Sequence, residues 1–95
     1  MNIEISNYEE KAKIFKALGD PTRLAMIDLL YRKKGELNCG DVAENFNTSR
    51  STNTYHFHIL REANLVTERK EGRYIFSELN LETFEKFLPQ FLENL

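Results

Sequence analysis

The sequence predicts a mainly α-helical fold closed by one small β-hairpin, and three observations carry that prediction. Apolar residues recur at helical spacing through residues 8–31 and again through 50–63. The period then changes to two on either side of Glu71-Gly72. Asp20-Pro21, Asn38 and Ser49 each stand where a helix start needs a side-chain cap. With 95 residues and 41% hydrophobic content, the chain is expected to form a single domain over 1–95. A chain of this length buries only about two-thirds of its unfolded surface, so dimerisation would add needed core.

The first helix is expected from Asn7 or Tyr8 to Leu18, with Tyr8, Ala12, Phe15 and Leu18 on one stripe and Gly19 ending it. Asp20 supplies a carboxylate cap, and Pro21 takes the first helical position, where a missing N–H costs nothing. The second helix then runs from Pro21 to about Arg32, with Leu24, Ile27, Leu30 and Tyr31 inward. Lys33, Lys34 and Gly35 close it with positive charge and a glycine. Asn38, with Asp41 three residues on, approximates a capping box for a short third helix, Cys39 to Phe46, ending at Asn47.

Ser49 caps a fourth helix that runs to about Ala63, after a turn of the length used in helix-turn-helix units. Asn53, Phe57, Leu60 and Ala63 fall on one stripe, with Ile59 beside them. Asn64 suits the left-handed position that terminates many helices. Leu65–Lys70 and Tyr74–Leu79 then alternate apolar with polar around Glu71-Gly72, the pattern of a hairpin. Leu81, Phe84, Phe87, Leu88, Phe91, Leu92 and Leu95 form a last apolar helical face, which Pro89 must kink or split.

Composition narrows the function classes. The single cysteine, Cys39, excludes an intramolecular disulfide and suits a reducing compartment. Glu4, Glu9, Glu10, Lys11 and Lys13 interrupt the N-terminal apolar residues, so a secretory signal is not expected. No apolar run is long enough for a membrane span. A soluble, cytoplasmic protein without a membrane partner is therefore expected. Nothing suggests an enzyme: there is no glycine-rich phosphate loop, no paired acid and base at a readable spacing, and no metal cluster.

The net charge of −2 conceals an asymmetry. Residues 48–76 hold Arg50, Arg61, Arg69, Lys70 and Arg73 against Glu62, Glu68 and Glu71, a balance of +2. Residues 77–95 balance at −3. A nucleic acid responds to the local surface and not to the sum over the chain. Helix 50–63 is expected to enter the major groove of duplex DNA, with Arg50, Ser51, Thr54, Tyr55 and His58 projecting from the side opposite its apolar stripe. Arg50 can donate two hydrogen bonds to guanine, and Arg69, Lys70 and Arg73 flank the hairpin tip, where phosphates or the minor groove would lie.

The segments Ala17-Leu-Gly-Asp-Pro-Thr-Arg-Leu24, Ser49-Arg-Ser-Thr-Asn-Thr-Tyr-His-Phe-His-Ile-Leu-Arg-Glu-Ala-Asn-Leu-Val66 and Arg69-Lys-Glu-Gly-Arg-Tyr74 together resemble the ArsR/SmtB family of bacterial winged helix-turn-helix repressors. The resemblance covers roughly residues 9–88 and implies a homodimer built from the first and last helices, binding an inverted repeat. It puts Arg50, Ser51, Thr54 and Tyr55 where the family contacts bases and backbone. Many members sense metal through a Cys-x-Cys-Asp pattern at the start of the third helix. Here that segment reads Asn38-Cys39-Gly40-Asp41, so both ligand positions are lost.

The last helix has no His for the family's other metal site, and His56 and His58, two apart on a helix, cannot chelate one ion. No metal and no cofactor are expected, and any effector is left unidentified. The sequence departs from the family again at Asn53, which takes a usually apolar position, so the helix sits differently or Asn53 helps bind DNA.

Three further residues carry alternatives. Arg23 can hold a phosphate or pair with a carboxylate such as Asp20, and Cys39 can be a small apolar residue or a thiol sensor. His56 is read as structural. A protein-interaction module with the same fold, or a metal- or thiol-responsive repressor using a non-standard site, are the competing functions.

Overall fold

The computed structural model describes residues 1–33 and 37–95, apart from the side chains of Cys39 and Ala43. The elements in chain order are α1 (Glu9–Leu18), α2 (Pro21–Arg32), β1 (Leu37–Asn38), α3 (Cys39–Asn45), α4 (Arg50–Glu62), β2 (Val66–Glu71), β3 (Tyr74–Leu79) and α5 (Leu81–Phe87). Short 3₁₀ turns over Ile5–Tyr8 and Leu92–Asn94 flank them. The fold is the expected mainly α class with a hairpin wing.

The helix starts follow from local chemistry. Asp20 accepts from the Arg23 N–H at 3.0 Å ahead of Pro21. Asn38 and Asp41 exchange reciprocal bonds, Asp41 N–H to Asn38 Oδ1 at 3.0 Å and Asn38 N–H to Asp41 Oδ2 at 3.1 Å, which completes a capping box. Ser49 accepts from the Thr52 N–H at 3.1 Å. At the other end of α4, Asn64 takes φ 61°, and the N–H groups of Leu65 and Asn64 return to the carbonyls of Leu60 and Arg61. That pair of bonds is a Schellman closure with asparagine in the left-handed position.

Ile14, Ala17 and Leu18 of α1, Met26, Ile27 and Leu30 of α2, and Leu60 of α4 form the core with Leu37, Val42, Ala63, Leu65, Val66 and Phe84. Two expected inward faces are corrected. On α1 the buried stripe is Ile14, Ala17 and Leu18, while Ala12 and Phe15, with Tyr8 just before the helix, face outward. On α2 Met26 is inward and Tyr31 is exposed. Both helices carry apolar residues on more than one stripe, so spacing alone did not select the one that meets α4. Lys34 and Gly35, the rest of the proposed α2 closure, lie outside the described residues.

The sheet has three antiparallel strands in the order β1-β3-β2. The strand over Leu37–Asn38 was not foreseen; Leu37 lies opposite Ser77 and Asn38 opposite Phe76. In the hairpin, Glu71 pairs with Tyr74, so the turn is Gly72-Arg73 and not Glu71-Gly72. Gly72 has φ 62° at the first turn position, as a II′ turn requires, and this sets the register one residue later. The first strand accordingly runs Val66–Glu71, and only Val66 on it is buried, so the apolar alternation is not matched by burial. α3 ends at Asn45, before the expected Phe46. Pro89 resolves as a break: α5 stops at Phe87, Gln90 takes φ 67°, and the 3₁₀ turn follows.

Candidate nucleic-acid interface

The fourth helix is anchored by one face. Leu60 and Ala63 are buried, Phe57 and Ile59 are half-buried, and Asn53 is 6% exposed. Arg50, Ser51, Thr54, Tyr55 and His58 are all exposed on the remaining surface, as expected, with Tyr55 at 60%. Arg50, Thr54 and His58 follow one another at intervals of four residues, and Ser51 and Tyr55 do the same, so the five form adjacent rows.

Their hydrogen bonds refine what each can offer. The Thr54 hydroxyl donates to the Arg50 carbonyl at 2.9 Å, which leaves its methyl group and a lone pair outward. The Ser51 hydroxyl lies 3.2 Å from that of Ser49. His58 Nδ1 lies 3.1 Å from Arg61 Nη2. A guanidinium can only donate, so Nδ1 is the acceptor and Nε2–H points elsewhere. The Ser49 cap occupies the Thr52 amide and leaves the first two amides of α4 for another acceptor.

On the wing, strand alternation separates the cations. Arg69 lies opposite Phe76, and its guanidinium sits 5.1 Å from that ring's centroid while bonding Glu71 at 2.7 Å. Lys70 lies opposite Ile75, on the other face of the hairpin. Arg73 is in the turn, 5.7 Å from the centroid of Tyr74. Arg61 at the end of α4 pairs with Glu68 of β2 and so ties the helix to the wing. A cavity of about 470 Å³ lies between α4 and the sheet, with Leu37, Val42, Phe57 and Ile75 among its walls and Arg50 and Thr54 also lining it.

The departure at Asn53 has a local resolution. The Thr48 hydroxyl, in the turn before α4, donates to Asn53 Oδ1, so the buried amide oxygen is satisfied. Arg23 does not use its guanidinium on Asp20 as one reading of the sequence had it. Asp20 takes the Arg23 backbone N–H, while Arg23 Nε donates to the Ala17 carbonyl at 2.6 Å and Nη1 meets His56 Nδ1 at 3.1 Å. The backbone N–H of Arg23, followed by the positive charge of its guanidinium, holds the Asp20 carboxyl below its usual range. Sequence reasoning missed both the Arg23–His56 contact and the Arg61–Glu68 tie, because each joins residues from different elements. Among the described residues no group of three or more His, Cys, Asp or Glu converges as a metal site would require. No helix among them is long and apolar enough to cross a membrane.

Comparison with known proteins agrees with this arrangement. The family model for a helix-turn-helix domain matches residues 18–69. The chain is 45% identical over 95 residues to the HTH-type transcriptional regulator YceK of Bacillus subtilis (strain 168), covering 100% of this chain and 95% of that protein. It is 39% identical over 89 residues to the arsenical resistance operon repressor of Staphylococcus xylosus, covering 94% of this chain and 80% of that one. Among solved structures it is similar to an ArsR-like transcriptional regulator from Rhodococcus sp. RHA1, with TM-score 0.78 and 28% identity over 94% of this chain and 81% of that one. A three-helix body, a polar-faced fourth helix and a wing thus coincide with this relationship in sequence, and the chain belongs to the ArsR/SmtB family of winged helix-turn-helix transcriptional regulators.

Proposed function

We propose that this chain is a DNA-binding transcriptional repressor that acts as a homodimer on a two-fold related operator. The observation that carries the reading is the α4 surface: five exposed polar or aromatic side chains, Arg50, Ser51, Thr54, Tyr55 and His58, lie opposite a buried stripe on a capped helix beside a wing that carries Arg69, Lys70 and Arg73. Arg50 reads guanine in the major groove, and Thr54 and Tyr55 offer apolar contact to a thymine methyl. Ser51, the open amides of α4 and His58 Nε2–H contact phosphate. Lys70 and Arg73, with Arg69 beside them, follow the backbone next to the wing.

Dimerisation is supported by apolar side chains that a monomer leaves in water. Tyr8, just before α1, and Phe15 on α1 are 58% and 55% exposed, and Leu81 and Leu95 in the C-terminal segment are also exposed. A two-fold dimer sets its recognition helices about one DNA turn apart, near 34 Å. Binding-site selection from genomic fragments tests the reading. A two-fold related sequence should be enriched, and Arg50→Ala and Tyr55→Ala should abolish the enrichment. Absence of an enriched site, or indifference to both substitutions, would refute it.

No metal switch is expected at this chain's third helix, where both cysteine positions of the family's Cys-x-Cys-Asp pattern are replaced, by Asn38 and Gly40. Asn38 Oδ1 and Asp41 Oδ2 are engaged in the capping box, and the segment holds one cysteine. Titration of the protein with arsenite, zinc or cadmium should show no tight stoichiometric site. A tight site lost on Cys39→Ser would overturn that part of the reading.

A further inference from the structure

We infer that Arg23 is a positioning residue for the recognition helix, acting through His56, and that it makes no phosphate contact of its own. The inference rests on the DNA-binding reading and goes beyond it, because neither residue belongs to the exposed surface of α4. Arg23 is in the first turn of α2 and His56 in the middle of α4, both half-buried. One guanidinium bonds two other helices at once: Nε donates to the Ala17 carbonyl at 2.6 Å, and Nη1 meets His56 Nδ1 at 3.1 Å. Ala17 is in the last turn of α1, where carbonyls lack a partner within the helix and carry partial negative charge. A cation fits there. The same cation sits unfavourably at the start of α2, and the Asp20 carboxylate next to it offsets that cost.

The guanidinium is a rigid planar fork with five donors and no acceptor. It therefore fixes His56 with a lone pair on Nδ1 and sets the distance between the end of α1 and the middle of α4. His56 directly follows Tyr55 and precedes His58 by two residues, so its seat is the seat of the exposed surface. Arg50 lies six residues toward the N-terminus, about 9 Å along the helix axis. A tilt of about 10° at His56 would displace that end by about 1.5 Å, more than a bidentate base contact tolerates.

The test compares wild type with Arg23→Gln, His56→Leu, His56→Asn and the double variant Arg23→Gln/His56→Leu. Fluorescence anisotropy gives the affinity for the selected operator and for a scrambled duplex across a salt series. Arg23→Gln and His56→Leu should each weaken operator binding about tenfold or more, in keeping with loss of a charged hydrogen bond. Binding to the scrambled duplex and the salt slope should hold. His56→Asn can present Oδ1 near the position of Nδ1 and should stay within about threefold of wild type, by the same logic of a retained acceptor. The double variant should be no weaker than the weaker single one.

A salt slope lowered by about one in Arg23→Gln, with parallel loss on both duplexes, would make Arg23 a phosphate ligand and overturn the inference. Unchanged operator affinity, or His56→Asn as weak as His56→Leu, would overturn it equally. The two His56 variants decide the matter if Arg23→Gln does not fold. Amide exchange separates failure of the inference from failure of the DNA-binding reading. If wild type distinguishes no duplex, that reading falls, yet α4 should still exchange faster in His56→Leu than in His56→Asn. Equal exchange in both would remove the strut itself.

Discussion

Replacing Thr48 with valine is expected to destabilise the protein by about 1–3 kcal/mol, the cost of leaving one buried polar atom without its partner. The structure sets an asymmetry that makes this prediction specific. Asn53 is 6% exposed and receives the Thr48 hydroxyl on Oδ1, whereas Thr48 itself is exposed. Thr48→Val keeps the shape of the side chain but strands a buried acceptor. Asn53→Leu strands only a hydroxyl that water can reach, and it places an apolar group on the stripe that holds Leu60 and Ala63. That variant should therefore be neutral or more stable. The double variant should match Asn53→Leu and not the sum of the singles, so the coupling should equal the Thr48→Val cost, about 1–3 kcal/mol. Urea denaturation at one fixed protomer concentration measures all four proteins, because the apparent stability of the proposed dimer depends on concentration. Thermal midpoints should fall by about 4–8 °C for each kcal/mol lost. A Thr48→Val protein within about 0.5 kcal/mol of wild type, or an additive double variant, would refute the account of how the recognition helix tolerates an asparagine.

Three other outcomes follow from the geometry. On the wing, Lys70→Ala and Arg73→Ala should each reduce the slope of log affinity against log salt by about 0.9, whereas Arg69→Ala should reduce it less because that guanidinium already bonds Glu71; equal slopes for the three would contradict the assignment. Asp20→Ala should cost about 1 kcal/mol as a lost helix cap. The folded-state pKa of Asp20 is lowered, so its contribution is fully present above the unfolded value near 3.8 and is lost as pH falls through the lower folded value. Acid unfolding of Asp20→Asn, which keeps a cap acceptor without the charge, should lack that component. Phe15→Glu combined with Tyr8→Glu should yield monomers in sedimentation with little change in helix content, since both side chains are more than half exposed in the single chain; a persistent dimer would place the interface elsewhere.

Much of the fold was legible in the sequence because it depends on neighbours. Asp20-Pro21, the Asn38–Asp41 box, the Ser49 cap and the left-handed Asn64 each complete their bonds within five residues, so residue type and spacing suffice. The exposed α4 residues were legible for the same reason: once the stripe of Asn53, Leu60 and Ala63 is known, the helical period puts Arg50, Thr54, Tyr55 and His58 on the rest of the surface. The hairpin was legible in kind, while its register depended on which residue beside Gly72 completed the turn.

Tertiary packing decided the remainder. Two residues, Leu37 and Asn38, become a strand only because β3 offers them a free edge. α1 has two plausible apolar stripes, and contact with α2 and α4 selected Ile14, Ala17 and Leu18 over Tyr8 and Phe15. Arg23 and His56 are thirty-three residues apart, and Arg61 reaches Glu68 on another element. No local period relates such pairs. The sequence by itself therefore determined the capped starts of α2, α3 and α4, the turn before α4 and the residues α4 exposes. How that helix is seated, by Thr48 beneath Asn53, Arg23 beside His56 and Glu68 against Arg61, was decided only when distant segments met.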